Sequence, residues 1–141
     1  MRTLRHYDTA PSNVNNQWEV ETMISANRLT VTGADLEIFF ECEPSKIDRD
    51  VPWPYNEFTF AYERGEESIE FKIQPAEPSV EIKVTRSEQT TYELQAFGIV
   101  DAIYRNDNGQ ESLELTLSQH HQIFLRLKPN VVVYEAFSTF D

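Results

Sequence analysis

Along most of this chain apolar and polar residues alternate with a period of two, the spacing that puts successive side chains on opposite faces of a β-strand. The alternation is regular enough to suggest register. In "FTFAYERGEESIEFKI" a turn centred on Gly65 and Glu66 would pair Tyr62 with Ile69, Phe60 with Phe71 and Phe58 with Ile73, and would set Arg64 opposite Glu67. In "GIVDAIYRNDNGQESLELTL" the dipeptide Asn108-Gly109 suits a type I′ turn, whose central residues both need positive φ. That turn pairs Tyr104 with Leu113, Ala102 with Leu115 and Val100 with Leu117. In "NRLTVTGADLEIFF" the inward parity switches at Gly33, so a turn at Gly33-Ala34 would pair Val31 with Leu36 and Leu29 with Ile38.

The stretch "LELTLSQHHQIFLRL" reads the same way. Keeping Leu117 and Ile123 on one face pairs 117 with 123, 115 with 125 and 113 with 127, which leaves Gln119, His120 and His121 as a hairpin loop. Further turns fall at "QPAEPS", "TRSEQT" and "KPN", and residues 44–55 form the longest connection, with room for one short turn of helix. The expected strands are 18–25, 27–32, 35–42, 56–63, 67–74, 79–86, 90–105, 110–118, 122–128 and 131–138, and no segment carries a capped helical period. Short turns make consecutive strands antiparallel. The expected fold is therefore all-β: an antiparallel up-and-down meander of about ten strands, barrel-like or split into a two-sheet sandwich so that long edges are not left open. Residues 1–17 read as a loosely ordered N-terminal segment and 18–141 as a single domain.

In architecture this meander resembles the fatty-acid-binding branch of the calycin barrels. That family's helix pair after the first strand and its N-terminal glycine-tryptophan signature are missing here, Trp18 being preceded by "NNQ", so the resemblance implies no site residues.

Charge changes the picture next. The chain of 141 residues has 24 acidic against 12 basic side chains, a net charge of -12. Such a field repels phosphate backbones and anionic headgroups, so neither nucleic acid nor a membrane is expected as a partner, and a basic protein is. The same charge also serves solubility. No apolar run approaches the ~18 residues that span a bilayer, and no apolar h-region follows the N-terminus; the expected location is the cytoplasm. Cys42 is the single cysteine, so no intramolecular disulfide forms, and the alternation in "LEIFFEC" makes it an inert packing residue.

The glycines form no phosphate loop, no serine elbow occurs, and Cys and His lack metal-ligand spacing. No catalytic, metal or cofactor residues are expected, and the chain reads as a non-enzymatic binding protein. Three groups are candidates for contact with a partner. Glu63, Glu66, Glu67 and Glu70 make an acidic cluster around the Gly65 turn. Trp53 and Tyr55 are held by prolines in "DVPWPYNEF", either as presented anchors or with Trp53 folded back as a lid. Phe97, Ile99, Ile103 and Phe124 would form an apolar outer face for binding or for self-association into a homo-oligomer. On the opposite face, the small residues Ala96, Gly98 and Ala102, with Tyr104, suit an apolar ligand cavity. His120 and His121 at a hairpin tip would make partner binding sensitive to pH near neutrality. The function expected first is masking or inhibition of a basic protein, as immunity proteins and similar inhibitors do. A small apolar-ligand barrel and a structural subunit of a larger assembly are the alternatives.

Overall fold

The computed structural model describes residues 29–138. The expected strand 18–25 and the boundary after residue 17 lie outside them. Within them the alternating segments form two open antiparallel sheets, a sandwich rather than a closed barrel. Strands β1 (Ser45–Lys46), β2 (Phe58–Arg64), β3 (Glu67–Gln74), β4 (Ser79–Arg86) and β5 (Gln89–Phe97) make a five-stranded sheet in chain order. Strands β6 (Asp101–Asp107), β7 (Gln110–Ser118), β8 (His121–Arg126) and β9 (Val132–Phe137) make a four-stranded one.

Two hairpins carry the register read from parity. Phe58, Phe60 and Tyr62 lie opposite Ile73, Phe71 and Ile69, and Ala102 and Tyr104 lie opposite Leu115 and Leu113. Asn108 (φ 55°) and Gly109 (φ 89°) have the two positive φ angles that a type I′ turn requires. The inward residues of one sheet, among them Phe60, Ile69, Phe71 and Ile82, share one core with Ala102, Leu113, Leu115, Ile123 and Leu125 of the other. Burial of this apolar surface is the main favourable term in the fold.

Three expectations fail. Residues 33–40 are not a turn running into a strand 35–42, nor are the described residues of 27–32 a strand; Gly33–Phe40 is a helix, α1. Its start is a capping box: the Asp35 N–H donates to the Thr32 hydroxyl and the Thr32 N–H to the Asp35 carboxylate, each at 3.1 Å. Leu36, Phe39 and Phe40, at i, i+3 and i+4, are buried, whereas Ile38 is 56% exposed. Phe40 stacks against Phe60 and Phe71, with ring centroids 5.2 and 5.3 Å away. Phe39 meets Tyr104 of the other sheet edge-on at 6.1 Å. Just before the helix the Val31 N–H donates to the Ala102 carbonyl at 2.8 Å, which ties the entering chain to the edge of β6.

The expected strand 90–105 is broken at Gly98, whose φ of +70° takes the chain out of the first sheet. The N–H groups of Gly98 and Ile99 both donate to the Pro78 carbonyl, at 2.9 and 3.2 Å. Val100 therefore does not extend the ladder to Leu117; its N–H donates to the Thr116 carbonyl. Between β7 and β8 the register differs by two from the expected pairs: Leu113 faces Leu125, Leu115 faces Ile123 and Ser118 faces His121. An irregularity between Thr116 and Ser118 makes Leu117 the extra residue of a bulge. The loop shortens to Gln119-His120, and the same side chains still face the core because a shift of two preserves parity. Cys42, which follows the helix instead of lying in a strand, packs half-buried against the core and donates its thiol to the Ala61 carbonyl at 3.3 Å. Among the described residues no helix is long and apolar enough to cross a membrane.

Truncation of the helix wedge tests its role in joining the sheets. Phe40→Ala should lower unfolding free energy by about 3–5 kcal/mol in urea titrations. Phe97→Ala, at a ring 71% exposed, should change it by less than about 0.5 kcal/mol.

Candidate functional site

In a meander alternate turns lie at the same end of the sheet, so the Gly65 turn and the β4–β5 turn at Ser87-Glu88 sit side by side. The Ser87 N–H donates to the Glu66 carbonyl at 3.0 Å, and its hydroxyl donates to the Glu66 carboxylate. Between the two turns lies a cleft of about 520 Å³ bordered by Glu63, Glu66, Glu67 and Glu88. Glu63 and Glu66 are exposed on it, as is Glu88, a residue the sequence did not single out. Glu67 is engaged elsewhere. Its backbone lies opposite Arg64 as expected, but its carboxylate accepts from Arg86 at 2.8 Å and from the Val131 N–H at 3.2 Å, linking β3 to the β8–β9 loop. Glu70 lies away from the cleft, on the outer face of the five-stranded sheet opposite Lys83.

Trp53 and Tyr55 occupy the short 3₁₀ turn Trp53–Tyr55 in the long connection. The indole lies over Phe58, with centroids 4.7 Å apart, and a Cβ at Gly33 would come within 3.3 Å of it. Trp53 is thus a half-buried lid on the start of the helix, while Tyr55 is 39% exposed. The connection is organised by Asn56, which is buried. Its amide donates to the carbonyls of Asp48 at 2.5 Å and Val51 at 3.1 Å. Its carbonyl accepts from the N–H groups of Asp48 at 3.3 Å and Glu57 at 2.9 Å, so every polar capacity of the side chain is used.

The four apolar candidates are dispersed by the break at Gly98. Phe97 is exposed at the end of β5, and Ile99 is in the core. Ile103 and Phe124 lie in one row on the outer face of the four-stranded sheet, where Phe124 contacts Tyr134 with centroids 5.1 Å apart. The small residues are dispersed too. Ala96 is half-buried in β5, Gly98 faces open space at the bend, and Ala102 is fully buried. Tyr104 donates its hydroxyl to Glu111 at 2.6 Å.

His120 is at the turn tip, at the end of the sandwich opposite the acidic cleft. His121 opens β8 and does more. Its ring stacks on Phe137, with centroids 4.3 Å apart, and its Nε2 lies 3.1 Å from Glu135 Oε1. The other Glu135 oxygen accepts from the Tyr92 hydroxyl at 2.8 Å. Since Tyr92 is on β5 and Glu135 on β9, this group ties the two sheets together. Burial, reinforced by the hydrogen bond and charge of Glu135, raises the Tyr92 pKa well above its ordinary value of 10.0. Among the described residues no group of three or more His, Cys, Asp or Glu side chains converges as a metal site would require.

No protein-family model matches the sequence, and no curated protein matches it significantly. The fold has a solved counterpart. A chain of the structure described as "Contact-dependent growth inhibition toxin - immunity protein complex from Klebsiella pneumoniae 342" superposes with a TM-score of 0.66, over 78% of this chain and 96% of that one, at 19% identity. At that identity the likeness establishes a shared fold.

Asn56→Ala should destabilise by about 2–3 kcal/mol in chemical denaturation, because four backbone groups lose their buried partner. The cross-sheet tie carries a pH signature. A raised folded-state pKa favours the protonated tyrosine, so its contribution is complete below pH 10.0, the unfolded value, and is lost as pH rises through the folded value. Urea unfolding at successive pH values should find Tyr92→Phe less stable than the parent at neutral pH. The difference should shrink as pH climbs above about 10.

Proposed function

We propose that this chain is a non-enzymatic, immunity-type protein that binds and masks a basic protein partner. The observation that carries the reading is the shared fold with a chain of a toxin–immunity protein complex, over nearly the whole of that chain. Two further features favour the immunity role over the toxin role. The net charge of -12 suits a protein that covers a cationic surface, and the exposed carboxylates of Glu63, Glu66 and Glu88 are gathered around one cleft at one end of the sandwich.

Each of these acids is on a turn or at a strand end, so the backbone holds them on short, well-defined turns instead of a floppy loop. A cationic patch meeting them would gain from three carboxylates at once, and the long-range field would speed encounter. Glu67, engaged with Arg86 and the Val131 N–H, supports the cleft from beneath and is not counted among the contact residues.

The test is a binding measurement on the chain purified with its partner from its source. The partner should be basic, and affinity should fall at least about tenfold with rising salt. Reversing Glu63, Glu66 and Glu88 to Lys together should weaken binding by at least about a hundredfold while thermal unfolding is retained. Binding indifferent both to salt and to the triple reversal would overturn the reading, as would a bound apolar small molecule, seen by native mass spectrometry, in place of a protein.

A further inference from the structure

Each of the two sheets ends in two strand edges, and on one side of the molecule these edges are engaged. Beside β2, the two-residue β1 pairs with Phe58 and Thr59, and the Cys42 thiol donates to the Ala61 carbonyl. Beside β6, the Val31 N–H donates to the Ala102 carbonyl. On the other side β5 and β9 end their sheets, and among the described residues no strand pairs with the outer edge of either. β5 is the longer, nine residues from Gln89 to Phe97, and it holds none of the Lys or Pro residues that commonly blunt such an edge.

Which backbone groups this edge presents follows from the way the strand ends. The Gly98 N–H donates to the Pro78 carbonyl at 2.9 Å, continuing the ladder in which Phe97 faces Ser79. In an antiparallel pair the bonded positions recur at every second residue. Tyr92, Leu94 and Ala96 therefore direct their backbone groups at β4, and Glu93, Gln95 and Phe97 direct theirs outward. The side chains alternate likewise. Glu93, Gln95 and Phe97 are exposed, whereas Tyr92, Leu94 and Ala96 are half-buried against the core.

The outer face also specifies a neighbour. Glu70, Lys83 and Glu93 lie side by side across β3, β4 and β5, an alternation of sign that stops at an acid. Among the described residues Glu93 has no ion pair. A strand continuing this sheet would set a base beside Glu93, an apolar residue beside Phe97, and further apolar residues over Leu94 and Ala96. A second copy of this chain is a poor occupant. Pairing over all nine residues puts Glu93 opposite its own counterpart, between two molecules of net charge -12.

We propose that the outer edge of β5 is a strand-addition site for an extended, basic segment of a partner protein, held by the backbone groups of Glu93, Gln95 and Phe97 and selected by the Glu93 carboxylate. That the segment belongs to the protein masked at the acidic cleft rests on the proposed function; the edge and its preference for a base do not. The two surfaces are continuous, since Glu88 of the cleft immediately precedes β5.

The experiment uses the full chain and a synthetic peptide, with no protein partner, so its failure would leave the reading of the acidic cleft standing. Acetyl-Tyr-Val-Thr-Val-Lys-amide, laid antiparallel, sets its tyrosine beside Phe97 and its lysine beside Glu93. Amide hydrogen exchange is followed by NMR during titration. In the free chain the Glu93, Gln95 and Phe97 amides should exchange at least about tenfold faster than those of Leu94 and Ala96, and the peptide should slow them saturably. Replacing the peptide's lysine by glutamate should weaken binding by at least about threefold, and replacing its threonine by proline should abolish it. Gln95→Pro, which removes an outward N–H and no bond to β4, should leave the chain folded and remove peptide binding. Glu93→Lys, which keeps every backbone group, should erase the preference for lysine over glutamate. Amides of Glu93, Gln95 and Phe97 that exchange in the free chain as slowly as those of Leu94 and Ala96 would overturn the proposal, the edge then being covered by the chain itself or by a second copy. Equal binding of the proline peptide, or a lysine preference that survives Glu93→Lys, would overturn it as well.

Discussion

Phe39 and Phe40 are neighbours in the chain, yet one packs against Tyr104 of the four-stranded sheet and the other between Phe60 and Phe71 of the five-stranded sheet. Two open sheets joined in sequence only through residues 98–100 have little to fix their separation. A rigid helix that places adjacent rings on both of them supplies that constraint, since close-packed interiors tolerate little change of volume. The rest follows in order. Trp53 closes over the helix start at Gly33, Asn56 fixes the connection that carries Trp53, and the first long strand, β2, begins with Phe58 beneath the indole.

Polar ties complete the closure from two sides. Glu67 reaches from β3 to the β8–β9 loop, and Glu135 reaches from β9 to Tyr92 on β5. Both are acids that a count of charges would assign to the surface, and both are partly withdrawn from it. What is left at the turn end includes the exposed carboxylates on the hairpin tips of the five-stranded sheet.

How much of this was legible depends on what alternation can encode. Period two records which face a residue takes, and a turn such as Asn108-Gly109 adds register because its φ angles demand those residues. Hence the hairpins turning at Gly65 and at Gly109 could be read directly. The helix start was legible only in part. Leu36, Ile38 and Phe40 fit a strand, while Leu36, Phe39 and Phe40 fit a helix, and the box formed by Thr32 and Asp35 decides between them. The loop at His120 was misplaced because a bulge that shifts pairing by two leaves parity untouched. The acidic cleft was half visible: the cluster at Gly65 stands in the sequence, but Glu88 joins it only once the meander brings alternate turns together.

The position of α1 in the chain also has a consequence for synthesis. Among the described residues the helix precedes every strand of both sheets, so its rings leave the ribosome before the strands that receive them. Phe71 follows Phe40 by 31 residues and Tyr104 follows Phe39 by 65. At translation rates of about 5–20 residues per second, Phe39 waits roughly 3–13 s for its partner ring. During that interval the five-stranded sheet can assemble around Phe40 alone, hairpin by hairpin, as each turn emerges. The four-stranded sheet then arrives last, onto a half already nucleated by the helix made before it.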